Sequence, residues 1–347
     1  MRARPIQASA VTTPPSPRPR ADVAAARAPA PRSELHRPSG RSGLGFALAL
    51  TTTVLWGFLP LALKITLAEM DAYTITWYRF LASAVLLASV LWYQEKLPPL
   101  GTLSRNVWGL LAVATTFLAM NYIWYLLGLH HTTPANSQVL IQLAPLLLAL
   151  GGLYVFKERF TPVQWLGFGV LLLGLATFFR DQLYFATAHA DEYYLGSFLM
   201  LLAAVTWAVY GIAQKQLLRW LPSQQIMVCL YAGCAVLFSP LSTPSQLLHM
   251  DGAGFGMLIF CTLNTVVAYG TFSEALAHWD ASRVAAVLAL TPVTTIAAAS
   301  AAKALWPNLM VTTPISRVGL VGTGLVVVGA LLTALGQRRT VRTWTRA

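Results

Sequence analysis

The stretch 122–178 constrains this chain more than any other. It holds three apolar runs, broken only by a polar turn at 130–134 and the charged cluster Lys157-Glu158-Arg159. The first run ends at the polar turn. The second carries Pro145 near its middle, and the third follows Pro162 and is rich in Gly. A helix needs about 20 apolar residues to cross the hydrocarbon core, where its backbone must satisfy its own polar groups. Three membrane crossings joined by tight loops are therefore expected. Composition agrees: the chain is 56% hydrophobic and 10% charged, against about 25% charged in soluble domains. The runs do not alternate apolar with polar residues, which excludes a membrane β-barrel.

The same reasoning predicts an all-α polytopic protein with ten spans at 44–65, 73–92, 107–129, 137–155, 163–179, 195–213, 226–241, 254–276, 284–303 and 318–335. With the N-terminus inside, 19 of the 24 Lys and Arg residues fall on the inner side and four (Lys64, Arg180, Lys303, Arg317) on the outer side. Without the tail arginines the ratio is still eleven to four. The positive-inside rule then puts both termini in the cytoplasm. The net charge of +12 is spread over loops and a tail, so it indicates an anionic leaflet and no nucleic-acid partner.

Residues 1–44 are rich in Arg, Pro, Ala and Ser and are expected to form a disordered cytosolic tail. The prolines disfavour an amphipathic transit helix, and a translation start placed too far upstream would leave the same composition. Residues 337–347 form a second basic tail. Cys229, Cys234 and Cys261 lie in apolar runs and are expected to be packing residues. No cofactor or metal site is expected.

The chain repeats itself. Trp56 and Lys64 are eight apart, as are Trp207 and Lys215; Gly167, Gly169 and Gly174 have the spacing of Gly322, Gly324 and Gly329. A shift of 147 superposes Tyr122 on Tyr269, Leu129 on Leu276, His131 on His278 and Pro145 on Pro292. The two copies, 45–180 and 194–336, hold five spans each. An odd number inverts the second copy in the membrane. Inverted repeats of this kind enclose a solute site near the midplane that opens to each side in turn.

These residues resemble the drug/metabolite transporter superfamily, in its EamA-like ten-helix branch. The matching pieces are Trp56-Gly57 with Lys64, Tyr78-Arg79-Phe80, Pro134-Ala135 through Pro145, and Lys157-Glu158-Arg159-Phe160 with Gln164, Gly167 and Gly174. The second half matches through Trp207, Lys215, Ala275-Leu276, Pro292 and the last glycines. The acidic turn present at Glu158 has no counterpart after Pro292. The resemblance implies a secondary carrier of small organic solutes (amino acids, purines, sugars or drug-like compounds) in a bacterial inner membrane, often an exporter.

Candidate site residues follow from the cost of polarity in lipid. Arg79 costs about 2.5–3.5 kcal/mol near a bilayer centre, so it should face protein or a wet cavity, where it could meet an anionic solute. Trp56 and Trp207 hold equivalent repeat positions, away from the interface, and could stack on a solute. Asn121, Tyr122, Tyr125, Gln138, Gln142, Tyr210, Asn264, Thr265 and Tyr269 are polar groups inside spans and should face inward. Gln138 and Gln142 share one face, as do Asn121 and Tyr125. Glu274, four residues before His278, is the carboxylate within a late span and a candidate for proton coupling. Lys64 and Lys215 are expected to anchor helix ends, and His130 and His131 to lie in an outer loop. The matched glycines permit close helix contact, within the chain or in a homodimer. An integral-membrane enzyme, sensor or scaffold is the alternative function. The chain has no HExxH, GxSxG or P-loop motif.

Overall fold

The computed structural model describes residues 41–155, 161–185, 190–217, 219–278, 284, 287–305 and 315–335. Most of both tails, the cluster at 157–159 and the 306–314 connection lie outside the described residues. The helices are α1 (Ser42–Thr66), α2 (Ala72–Tyr93), α3 (Arg105–His131), α4 (Pro134–Leu140), α5 (Leu143–Val155), α6 (Pro162–Phe185), α7 (Ala190–Leu217), α8 (Ser223–Phe238), α9 (Gly252–His278), α10 (Thr291–Leu305) and α11 (Arg317–Leu335). Short 3-10 turns lie at Leu100–Thr102, Ser239–Leu241 and Pro244–His249.

Local chemistry sets several boundaries. Asp71 caps α2 by accepting the Tyr73 and Thr74 backbone N–H groups at 2.8 and 3.0 Å, which satisfies donors a helix start leaves free. Thr133 caps α4 by accepting from Asn136 N–H, and Pro134 fills the first turn, where its missing donor costs nothing. His130 and His131 form the last turn of α3 rather than a loop.

Two expected spans are not continuous. The fourth divides into α4 and α5 at Ile141 and Gln142. Pro145 has no N–H for the Ile141 carbonyl and its ring crowds that group; Ala144 N–H takes the carbonyl instead, at 2.9 Å. The ninth breaks at Ala289 and Leu290, just before Pro292. Among the described residues, seven helices are long and apolar enough to cross a bilayer, and α11 supplies a shorter apolar helix over Arg317–Thr333. Prolines in the fourth and ninth runs explain why fewer long helices form than runs were counted.

The helices pair in a regular way. Contacts of α1 with α9 are matched by those of α3 with α7, α1–α10 by α5–α7, and α2–α9 by α3–α8. The pairs α2–α8 and α6–α11 join elements at equivalent places in the two sequence copies, and α4 packs on α10. At the α6–α11 contact, a Cβ on Gly174 would lie 2.5 Å from Val326 N, and one on Gly329 would lie 2.3 Å from Leu171 N. Only glycine allows that approach. Gly167 and Gly322 complete the contact, whereas Gly169 and Gly324 face open space. Four of the six matched glycines are thus used within the chain. Large apolar side chains such as Val85, Leu173, Val236, Leu263 and Val321 point outward, a surface that lipid solvates and water does not.

Candidate functional site

The second helix carries a buried charge. Arg79 is 3% exposed. Its Nε donates to Thr265 Oγ1 on α9 at 3.1 Å, and its guanidinium lies 4.9 Å from the centre of the Tyr122 ring on α3. Among the described residues no carboxylate forms an ion pair with it. A desolvated cation over an aromatic face gains about 2 kcal/mol, which offsets part of the burial cost but leaves the charge unneutralised.

Polar aromatic groups surround this cation. Tyr122, Tyr125 and Tyr231 lie within electrostatic reach of Arg79, and Tyr122, Tyr210, Tyr231 and Tyr269 within reach of one another. Tyr231 donates its hydroxyl to the Thr265 carbonyl at 3.4 Å. Phe80 packs on Tyr122, with ring centres 4.4 Å apart. Among the described residues, two buried side-chain polar atoms have no hydrogen-bond partner, Ser83 Oγ and Asn264 Oδ1. Ser83 is one turn beyond Arg79 on α2, and Asn264 directly precedes Thr265. Such atoms are rare in folded proteins, and both sit beside residues of the Arg79 group.

The wall of the site is α1, whose carbonyls are held from across the molecule. Pro60 removes the N–H that would pair with the Trp56 carbonyl. Gln138 Nε2 donates to that carbonyl instead, at 3.1 Å, and to Tyr125 Oη at 3.4 Å. Asn264 Nδ2 donates to the Leu55 carbonyl at 2.7 Å, and Thr295 Oγ1 to that of Gly57 at 2.8 Å. The Trp56 indole packs against Tyr269 and Phe272, with ring centres 5.4 and 5.7 Å away. Gln142 is half-buried at the α4–α5 break.

Other sequence candidates are committed to contacts of their own. Asn121 donates to the Ala203 carbonyl at 2.9 Å and fastens α3 to α7. Tyr210 donates to Met227 Sδ at 3.7 Å and packs edge-on to Trp207. Glu274 is 60% exposed and bonded to His278 Nε2 at 3.0 Å. Lys64 donates to the carbonyls of Leu129, His130 and Thr132 at 2.7, 2.7 and 2.9 Å, so it caps the C-terminus of α3, where a cation meets the negative end of the helix dipole. Among the described residues no His, Cys, Asp or Glu cluster is placed to hold a metal ion.

Sequence reasoning missed Ser83, and it missed Asn136, which accepts from Tyr193 Oη at 2.7 Å and donates to Thr132 and Ser197. The i, i+4 spacing of Ser83 after Arg79 was the available signal; Asn136 had none beyond its place in a polar turn.

Residues 43–180 and 194–335 each match the EamA-like transporter family. The chain belongs to that family. It is similar to the "Uncharacterized inner membrane transporter YhbE" of Escherichia coli (strain K12), at 37% identity over 86% of this chain and 93% of the relative. An "Uncharacterized transporter" of Haemophilus influenzae is 36% identical over 85% of this chain and 96% of its own length. A "Probable amino-acid metabolite efflux pump" of Salmonella typhimurium is 24% identical over 85% and 97%. One solved structure, 20% identical, aligns with a TM-score of 0.58 over 86% of this chain and 99% of its own; that likeness concerns the fold alone. This EamA-like transporter is thus a multi-pass inner-membrane protein, and the Arg79 group occupies its interior.

Proposed function

We propose that this EamA-like transporter is a secondary carrier that exports a small organic solute by alternating access, with Arg79 receiving an anionic group of that solute. The observation that carries the reading is the buried, unneutralised Arg79 flanked by two partnerless polar atoms, Ser83 Oγ and Asn264 Oδ1. A carboxylate would neutralise the guanidinium, and a nearby N–H or O–H group would satisfy Asn264. Trp56, Tyr122 and Tyr269 offer aromatic walls, with Gln138 and Gln142 as further polar contacts. Asn121, Trp207 and Tyr210 border this space and shape it. The Salmonella relative's name, which specifies efflux of an amino-acid metabolite, is consistent with export and with a carboxylate-bearing solute.

The proposed architecture is ten crossings in two inverted repeats, 45–180 and 194–336, with both termini cytoplasmic. Its support is the matched set of helix pairs, the reciprocal glycines of α6 and α11 and the loop charges. The two breaks near Pro145 and Pro292 fall at corresponding places, and interrupted helices at corresponding places are the usual mark of a carrier's site.

The test is thermal unfolding of the purified protein with amino acids, other carboxylates, purines, sugars and cationic amines. Binding raises the apparent melting temperature by mass action. The expected result is stabilisation by a carboxylate-bearing compound, lost in Arg79→Ala, together with counterflow of that compound in proteoliposomes. A compound that stabilises Arg79→Ala as well as the parent would remove Arg79 from the site.

A further inference from the structure

The turn between α1 and α2 is tied to the connection between α8 and α9. Asp251 N–H donates to Glu69 Oε2 at 2.9 Å, and Asp71 N–H to Gln246 Oε1 at 3.0 Å. Thr243 N–H donates to Thr74 Oγ1 at 2.8 Å, and Tyr78 Oη to the Pro244 carbonyl at 3.0 Å. These four bonds join the two sequence copies at one end of the molecule. The fit is tight, for a Cβ on Gly254 would lie 2.5 Å from the Glu69 carboxylate. Asp251 also accepts Gly254 N–H at 2.7 Å, which sets the start of α9 against the strap.

The strap fastens the half of α2 that leads into Arg79. Tyr78 precedes Arg79, and Thr74 lies on the same helix just over one turn earlier. By the pseudo-symmetry of the repeats, the matching seam at the opposite end joins the α2–α3 connection to the α7–α8 turn. There Gln225 Nε2 at the start of α8 donates to the Lys96 carbonyl at 2.9 Å. In a carrier built from inverted repeats, the two seams are equivalent by construction, and the orientation of the site is set by which of them is fastened. Arg79, Asn264 and Cys261 are all buried.

We propose that this strap is the latch of the outer gate: it closes the periplasmic side, and its release opens the Arg79 site outward. The proposal rests on the carrier reading and its orientation. Each bond is individually modest and replaceable by water, so the latch can open without unfolding a helix. Three of the four donors are backbone N–H groups, so the side-chain acceptors Glu69, Gln246 and Thr74 are the adjustable half of the device.

Cys261 provides a native reporter. It is fully buried and lies on α9 one turn nearer the strap than Thr265. The experiment uses the full chain in intact cells, with Cys229→Ser and Cys234→Ser, and follows the reaction of Cys261 with a membrane-impermeant maleimide by peptide mass spectrometry. Glu69→Ala with Gln246→Ala should speed external labelling by about tenfold, the factor expected from two ordinary hydrogen bonds. In a separate form, an oxidised Thr74→Cys and Thr243→Cys pair should slow labelling below the parent, with recovery on reduction. This second form adds a restraint and removes little packing, so it does not depend on the loosened variant folding. A Gln246→Cys form in the otherwise parental chain reports orientation. If it reacts from outside while Cys261 responds to neither change, the orientation stands and the latch is overturned. If it reacts only after permeabilisation, the orientation itself is wrong and the strap is not an outer gate.

Discussion

The α6–α11 pair and the helices around Arg79 are built by opposite rules. The α6–α11 contact is reciprocal: Gly167 meets the chain near Gly329, and Gly174 meets it near Gly322, with backbone against backbone. The interior around Arg79 is not reciprocal. Helix α2 carries Arg79, whereas its equivalent α8 carries no charged residue. Gln138 on α4 and Asn264 on α9 each reach a carbonyl of the same helix, α1. Symmetry persists where the requirement is only close packing, and is lost around the buried charge. The difference separates a scaffold from a site.

The largest expected effect tests the scaffold. Gly329→Leu forces a side chain into the α6 backbone, and overpacking of this kind costs roughly 1–3 kcal/mol or more. Melting followed by size-exclusion chromatography should show a large loss of folded protein, whereas Gly324→Leu, facing open space, should behave like the parent. Equal losses at the two positions would dissolve the distinction between a packed and a free glycine face.

The next effect sharpens the account of the site wall. Gln138→Leu should destabilise by about 1 kcal/mol, because it leaves the part-buried Trp56 carbonyl without a donor. Pro60→Ala returns a helical N–H to that carbonyl, so the same Gln138→Leu change should cost clearly less in the Pro60→Ala background. A double-mutant cycle in thermal stability reads the coupling. Additive effects would mean that Gln138 does not replace the missing helical bond.

The smallest effect concerns Glu274. An exposed i, i+4 pair is worth roughly 0.3–0.5 kcal/mol, so Glu274→Gln should shift stability by no more than that. The pH profile of counterflow should be unchanged. A displaced profile would return Glu274 to the mechanism as a proton carrier.

Much of the fold was legible in the sequence because lipid allows few solutions. Arg79, Tyr122, Gln138, Asn264 and Tyr269 could be singled out because polar groups inside apolar runs must find partners. The glycine spacing pointed to close helix contact. Ser83 escaped because a lone serine in a helix usually bonds its own backbone. Glu274 was legible as a carboxylate four residues before His278, whereas its 60% exposure was not, because sequence spacing alone does not say which helix face is buried.

By itself the sequence determined helical membrane spans, the doubled organisation and a charge that interior contacts must accommodate. Each follows from local composition measured against the thickness and dryness of a bilayer. Tertiary structure alone decided which carbonyls of α1 are gripped and which atoms beside Arg79 lack partners. It also decided that the α1–α2 turn meets the α8–α9 connection. Those outcomes depend on groups far apart in the chain, 82 residues for Gln138 and Trp56 and 209 for Asn264 and Leu55, meeting at hydrogen-bond distance, and no local pattern records such a meeting.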